Sequence, residues 1–187
     1  MLAKLLIVFL TFIIQFNAVS YNIDDSDIDD NNGNVTMSNY AEEILKHEGE
    51  EDVIIQILDI IYEKCNYGYD INQLTEGEKV IYFIGVLEGE VNNGGFSQFL
   101  FNTSGKYTTE TLDALNDIGA QYTASLLQEA IAIYKNGPTS EGSEGEMTSL
   151  TDEQTKKLYV LDEKFYEYKD DLGGLQITYI KNHISDF

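Results

Sequence analysis

The sequence predicts an all-α protein, and two observations support that fold class. After residue 38, apolar residues recur every three or four positions, which is the spacing of one helix face. No stretch of convincing length alternates apolar and polar residues, as a half-buried strand would. Since 43% of the 187 residues are hydrophobic, the chain can fill one core of ordinary size. We therefore expect a single-domain bundle of about six to eight helices over residues 39–187.

The first helices are predicted from a cap and an apolar run. Ser38 can cap a helix over residues 39–48. Residues 53–64 are apolar nearly all round, which predicts a helix buried on most sides. Their β-branched residues leave a strand open, but the length of the run favours a helix.

Two capping boxes mark the starts of later helices. Thr75 with Glu78 predicts a helix that ends at Val91, and Thr151 with Gln154 predicts another. The second of these helices is expected to carry one apolar stripe, formed by Leu158, Leu161, Phe165 and Tyr168. The other expected helices are one capped by Thr109, one that follows Gly119 and stops at Gly137 and Pro138, and a last one holding Leu175, Tyr179, Ile180 and Ile184.

Residues 1–38 are predicted to lie outside the bundle. Residues 1–20 have a positive start, an apolar run and small residues before a cleavage point after Ser20, which is typical of a secretory signal peptide. Residues 21–38 are acidic and rich in asparagine, and they are expected to form a disordered linker. The protein is therefore predicted to be secreted or periplasmic. The alternative is a membrane anchor through residues 5–16, although that run is shorter than the roughly 20 residues of a spanning helix.

The linker also contains part of a calcium-loop pattern. Asp27, Asp29 and Asn31 have the first three ligand spacings of such a loop. However, Gly33 comes one position late, and Ser38 stands where a bidentate glutamate is needed. A solvated spacer is therefore the better interpretation.

The charge of the chain restricts its partners. It has 33 acidic and 11 basic residues, a net charge of −22 and a pI near 4.1. Because nucleic acids and anionic lipids carry the same sign, direct contact with either is disfavoured. A charged partner should instead present a basic protein surface.

Few residues support catalysis. Cys65 is the only cysteine, lacks an activating neighbour and is expected to be a half-buried helical residue. His47 and His183 are expected to be exposed, and His47 with Glu51 lacks the further ligands that zinc requires. We therefore expect no catalytic residues, no metal and no cofactor. A hydrolase of unknown class is the less supported alternative.

The stretch EVNNGGFSQFLFNTSG, residues 90–105, combines turn-forming and apolar residues. Residues 92–95 accept positive φ and are expected to end the preceding helix at Val91. A phosphate cradle is the alternative, but no strand precedes the stretch, no lysine, arginine or threonine stands where a nucleotide loop needs one, and Glu88 and Glu90 would repel phosphate.

The second half of this stretch is predicted to be structural. Phe96, Phe99 and Leu100 have the spacing of one buried helical turn. Asn102 and Ser104 are expected to bond free backbone groups before the chain turns again.

These residues also resemble a known family. The motif consists of Glu90, Asn93, Gly94, Gly95, Phe96, Gln98, Phe99, Asn102 and Gly105. With weaker matches over roughly residues 52–187, it is similar to the signature of the DNA-mimic protein family. The resemblance implies an all-α, non-catalytic domain that forms a homodimer. It further implies that surface carboxylates replace DNA phosphates in contact with a DNA-binding protein or a nuclease.

Mimicry requires carboxylates at phosphate-like intervals on a rigid surface. Helical carboxylates three or four positions apart lie about 5–6 Å from each other, which is close to that interval. The candidate acidic surface consists of Asp113, Asp117, Asp162, Glu163, Glu167, Asp170 and Asp171. Two alternatives stay open. The acidity could be incidental and confer only solubility, or the chain could bind a partner through the aromatic residues of 96–101.

Overall fold

The computed structural model of the protein describes residues 40–47, 50–135 and 150–187. In these ranges the chain forms seven α-helices, three short 3₁₀-helices and no strand, which confirms the all-α prediction. The α-helices are α1 (Tyr40–His47), α2 (Glu50–Lys64), α3 (Glu76–Phe101), α4 (Thr108–Asp117), α5 (Gln121–Lys135), α6 (Asp152–Phe165) and α7 (Leu172–Asn182). The 3₁₀-helices are Ile71–Gln73, Thr103–Tyr107 and Ile184–Asp186. The predicted signal peptide, linker, calcium-loop pattern and Ser38 cap lie outside the described residues.

Both predicted capping boxes are confirmed. At the start of α3, Thr75 Oγ1 accepts the backbone N–H of Glu78 at 3.1 Å, and Glu78 Oε2 accepts the backbone N–H of Thr75 at 2.8 Å. At the start of α6, Thr151 Oγ1 accepts the backbone N–H of Gln154 at 3.2 Å, and Gln154 Oε1 accepts that of Thr151 at 3.0 Å. Each box pairs two N–H groups that the first turn of a helix otherwise leaves free.

Helix α3 lies at the centre of the bundle and contacts α2, α4, α5 and α6. Its buried side chains include Ile81, Ile84, Leu87 and Val91, each fully enclosed. Helix α7 packs against α2. Within the described ranges, none of the helices has the length and apolar character that crossing a bilayer requires.

Several local predictions were wrong in detail. Thr109 lies inside α4 and does not cap it, because the helix begins one residue earlier, after Tyr107. Tyr168 was expected on the apolar stripe of α6, but the helix ends at Phe165 and Tyr168 has a φ of 46°. Cys65 is fully buried just beyond the end of α2, whereas a half-buried helical position was expected.

Candidate functional site

The motif stretch lies at a kink in α3. Gly94 (φ −155°, ψ 24°) and Gly95 (φ 74°, ψ 179°) leave the helical region, and the helix resumes at Phe96. The glycines therefore interrupt the helix as predicted. The predicted end at Val91 was wrong, because Asn92 and Asn93 keep helical geometry and only the two glycines depart from it.

Asp162 of α6 caps the second segment of α3. Its Oδ1 accepts the backbone N–H of Phe96 at 2.8 Å, and its carboxylate lies directly against Gly95, where a Cβ would overlap it. Burial raises the pKa of Asp162, the bond from Phe96 lowers it, and the nearby charge of Glu163 raises it again. With 9% of the residue exposed, Asp162 is not part of an open acidic surface.

This cap gives a testable prediction. Asp162→Ala leaves the buried N–H of Phe96 without its acceptor, so we expect a loss of about 2 kcal/mol in the free energy of unfolding, measured by urea denaturation. Asp162→Asn keeps an oxygen acceptor and should lose less. Glu163→Ala, one residue away and exposed, is the control and should change little. Equal losses for Asp162→Ala and Glu163→Ala would contradict the capping role.

Glu90 connects the two segments of α3 across the kink. Its Oε2 accepts Gln98 Nε2 at 2.7 Å and Asn102 Nδ2 at 2.8 Å, and Asn93 Nδ2 donates to Gln98 Oε1 at 3.0 Å. Asn102 was expected to bond backbone groups through its side chain. That prediction was wrong, because its amide reaches the Glu90 carboxylate. The polar residues of the motif thus hold one another in place.

The remaining motif residues fill space or turn the chain. Phe96 and Phe99 lie in the core, and the ring of Phe96 contacts that of Phe165 edge-on at a centroid distance of 5.7 Å. At Gly105 a Cβ would overlap the backbone of Leu100. Phe96 and Phe99 are buried, so neither ring is accessible to a partner. This burial counts against the alternative of an aromatic docking surface over residues 96–101. Phe101 is 48% exposed.

The phosphate-cradle alternative also conflicts with this geometry. The N–H that follows the two glycines belongs to Phe96, and it already bonds Asp162. The site that an anion would need therefore holds a carboxylate of the chain itself.

Two more candidate carboxylates also hold helix starts. Asp170 Oδ2 accepts the backbone N–H of Thr123 in the first turn of α5 at 2.8 Å. Asp171 Oδ1 accepts the N–H of Gly174 at 3.2 Å and caps α7. Asp171 is exposed and Asp170 is half-buried, so each combines a structural bond with some access to solvent.

The spacing predicted for the acidic residues holds on α4 and fails beyond α6. Asp113 and Asp117 are both exposed on α4, four residues apart. Glu163 is exposed on α6, but Glu167 follows the end of that helix. The intervals from Glu167 to its acidic neighbours are therefore not helical, and Glu167 pairs with Lys169 at 2.9 Å.

The sequence analysis did not predict the internal contacts of two acidic residues. Glu78 is buried and accepts hydrogen bonds from Lys64, Tyr40 and Thr75. Glu88 Oε2 accepts a hydrogen bond from Gln176 Nε2 of α7 at 3.0 Å. The capping box did signal that Glu78 has a structural role, but nothing in the local sequence signalled its burial.

The structure gives no support to a metal centre in the ranges it describes, where no group of three or more His, Cys, Asp or Glu side chains could hold an ion. His183 is exposed and stacks on Tyr179 with a ring-centroid distance of 4.1 Å. Its Nδ1 lies 2.9 Å from the Tyr179 carbonyl oxygen.

The described residues define a class of protein: a strongly acidic helical domain built around a kinked central helix. Residues 72–183 match the family described as DMP19-like protein. The chain belongs to that family, which agrees with the DNA-mimic resemblance of the motif. The match begins at residue 72, whereas the resemblance was expected to extend from about residue 52. In the same comparisons, no curated protein and no solved structure matches the chain.

Proposed function

We propose that the chain is a non-catalytic acidic binding protein that occupies a basic, nucleic-acid-binding surface of another protein by presenting carboxylates in place of phosphates. The family assignment and the net charge of −22 support this proposal. A partner that binds DNA has lysines and arginines arranged for phosphates, and it releases counterions when fixed carboxylates replace them.

The observation that carries the proposal is the pair of exposed carboxylates on α4. Asp113 and Asp117 form no ion pair within the described part of the chain, whereas Lys46, Lys79 and Lys157 each pair with a glutamate. A pair of carboxylates without its own cation remains available to a partner's cations.

Helix α4 holds this pair on a fixed base. Ala114 and Leu115 are buried between the two aspartates in sequence, and α4 packs against α3 and α5. The hydroxyl of Thr111 also donates to the carbonyl of Tyr107 at 2.8 Å. A rigid base reduces the ordering entropy lost on binding, which favours mimicry over a loose acidic tail.

The prediction of the compartment in which the protein acts depends only on the sequence pattern of residues 1–20. If the signal peptide acts as predicted, the partner is a secreted or periplasmic basic protein, such as a nuclease, because an exported chain would not meet a cytoplasmic transcription factor. The homodimer that the resemblance implies stays a prediction, which light scattering would test.

The test begins with a pull-down at low salt, and the eluted proteins are identified as the salt concentration rises. We expect a basic protein whose binding to the chain competes with DNA and weakens steeply with salt. Binding that is insensitive to salt, or that does not compete with DNA, would refute mimicry.

A double variant tests the role of α4. Asp113→Asn with Asp117→Asn should weaken binding to the captured partner about tenfold, since two charge contacts at a partly solvated interface are lost. The matched control is Asp59→Asn with Glu63→Gln, an exposed pair with the same spacing on α2. Equal weakening by both double variants would mean that total charge, not the α4 pair, governs binding.

A further inference from the structure

Gln176 of α7 has a buried oxygen that lacks a hydrogen-bond partner. The residue is 1% exposed, and its Nε2 donates to the carbonyl of Leu172 at 3.2 Å and to Glu88 Oε2 at 3.0 Å. Its Oε1 accepts nothing, and no other buried side-chain oxygen or nitrogen in the described ranges is left unpaired. A flipped amide would face two acceptors with its oxygen, so both donor bonds fix the orientation. An unpaired buried oxygen is destabilising and calls for an explanation.

The group beside this oxygen can gain a proton. Glu88 extends from α3 and also shares a side-chain hydrogen bond with Tyr168, whose hydroxyl accepts Asn92 Nδ2 at 2.7 Å. The titratable groups that face Glu88 are Tyr62 from α2 and Tyr168 from the connection between α6 and α7. No lysine pairs with Glu88 among the ion pairs of the described residues.

We propose that Glu88 and Gln176 form a proton-dependent clamp between α3 and α7. In the closed state, the protonated carboxyl of Glu88 donates its O–H to Gln176 Oε1 and still accepts the N–H of Gln176 Nε2. The two groups then form a cyclic pair between a carboxylic acid and a carboxamide, in which each supplies one donor and one acceptor. The clamp takes one proton from water and breaks no covalent bond.

The clamp accounts for both unusual features of this contact. It gives Gln176 Oε1 the donor that it lacks, and it removes a negative charge that no lysine pairs with among the described residues. When Glu88 is ionised, its oxygens can only accept, so Gln176 Oε1 is again unpaired and α7 is held to α3 by one bond of the pair. The inference does not depend on the identity of the proposed partner.

Burial sets the pH at which the clamp opens. Burial raises the pKa of Glu88 from 4.5 to about 7, although the bonds from Gln176 and Tyr168 lower it. Between these two values the folded chain binds a proton that the unfolded chain does not. The contribution of the clamp to stability is therefore complete below the unfolded pKa and is lost as the pH rises through about 7.

The direct test is NMR on the wild-type chain from about pH 4 to about pH 9. We expect the side-chain carboxyl resonance of Glu88 to titrate with a midpoint near 7, and the carboxamide resonances of Gln176 to follow with the same midpoint. A Glu88 midpoint near 4.5 would overturn the proposal. A Gln176 carboxamide that does not respond would overturn it equally.

A variant tests the same clamp through stability. Glu88→Gln keeps one donor and one acceptor but does not titrate, so it should copy the closed state at every pH. We expect its Tm to exceed that of the wild type by on the order of 5 °C at about pH 8 and to match it at about pH 4, below the unfolded pKa. The control is Glu129→Gln, which removes the same charge from an exposed position on α5. If Glu88→Gln is no more stable than Glu129→Gln at the higher pH, the clamp does not exist. If Glu88→Gln does not fold, the wild-type titration decides.

Discussion

Replacing Glu78 with alanine is expected to lower the free energy of unfolding by about 4 kcal/mol. Glu78 is 1% exposed, and its carboxylate joins three elements. It accepts Lys64 Nζ of α2 at 2.7 Å, the hydroxyl of Tyr40 of α1 at 3.0 Å and the backbone N–H of Thr75 at 2.8 Å. Alanine removes the shared acceptor of the Tyr40 hydroxyl, the Thr75 N–H and the Lys64 ammonium, whose side chain is 33% exposed. Losing three bonds to one buried carboxylate costs more than a surface ion pair is worth.

Urea denaturation followed by circular dichroism measures this loss. The control is Glu76→Ala, in the same helical turn: the Glu76 side chain is 88% exposed and pairs with Lys79, so its removal should cost less than about 1 kcal/mol. Glu78→Gln should fall between the two, because it keeps one oxygen acceptor and loses the charge. If Glu78→Ala and Glu76→Ala unfold at the same urea concentration, Glu78 does not hold these elements together.

Gly95→Ala is expected to cost about 3 kcal/mol or more, for two separate reasons. At φ 74° and ψ 179°, Gly95 has a backbone conformation that is essentially restricted to glycine. A Cβ at this position would also overlap the carboxylate of Asp162, which bonds the neighbouring N–H. The substitution therefore strains the kink and displaces its cap at once.

Gly119→Ala separates the two reasons. Gly119 has a φ of 84°, but nothing lies within 4 Å of the position that its Cβ would take. Its substitution should cost only the backbone term of about 1–2 kcal/mol. Thermal denaturation of both variants measures the difference, and a double variant that adds Asp162→Ala to Gly95→Ala should lose less than the sum of the two single changes. Equal losses for Gly95→Ala and Gly119→Ala would show that the contact with Asp162 is unimportant.

The sequence predicted the parts of the fold that depend on near neighbours. Both capping boxes were correct because every atom of a box lies within four residues, as with Thr75 and Glu78. The break at the paired glycines was predicted for the same reason. Its exact position was not, because Asn92 and Asn93 remain helical while Gly95 is fixed by Asp162 from a distant part of the chain.

The candidate site was harder to predict because a sequence shows that a residue is acidic but not where its oxygens point. Asp162, Asp170 and Asp171 all accept backbone N–H bonds from helix starts, and two of those bonds reach other elements of the fold. Glu88 directly follows the apolar run of α3, and only the packing of α7 places Gln176 against it. Such contacts depend on tertiary structure, which local patterns do not encode.

Some aspartates of the chain cap helices and others only face solvent, and this difference determines which substitutions each position can accept. A position such as Asp162 needs a short side chain of fixed length to reach the N–H of Phe96, so even glutamate should be rejected there. Asp113 and Asp117 face solvent, and a glutamate or a shifted acidic residue would keep their charge. In a saturating mutant library selected for folding alone, the first kind of position should stay nearly invariant, while the second should vary freely.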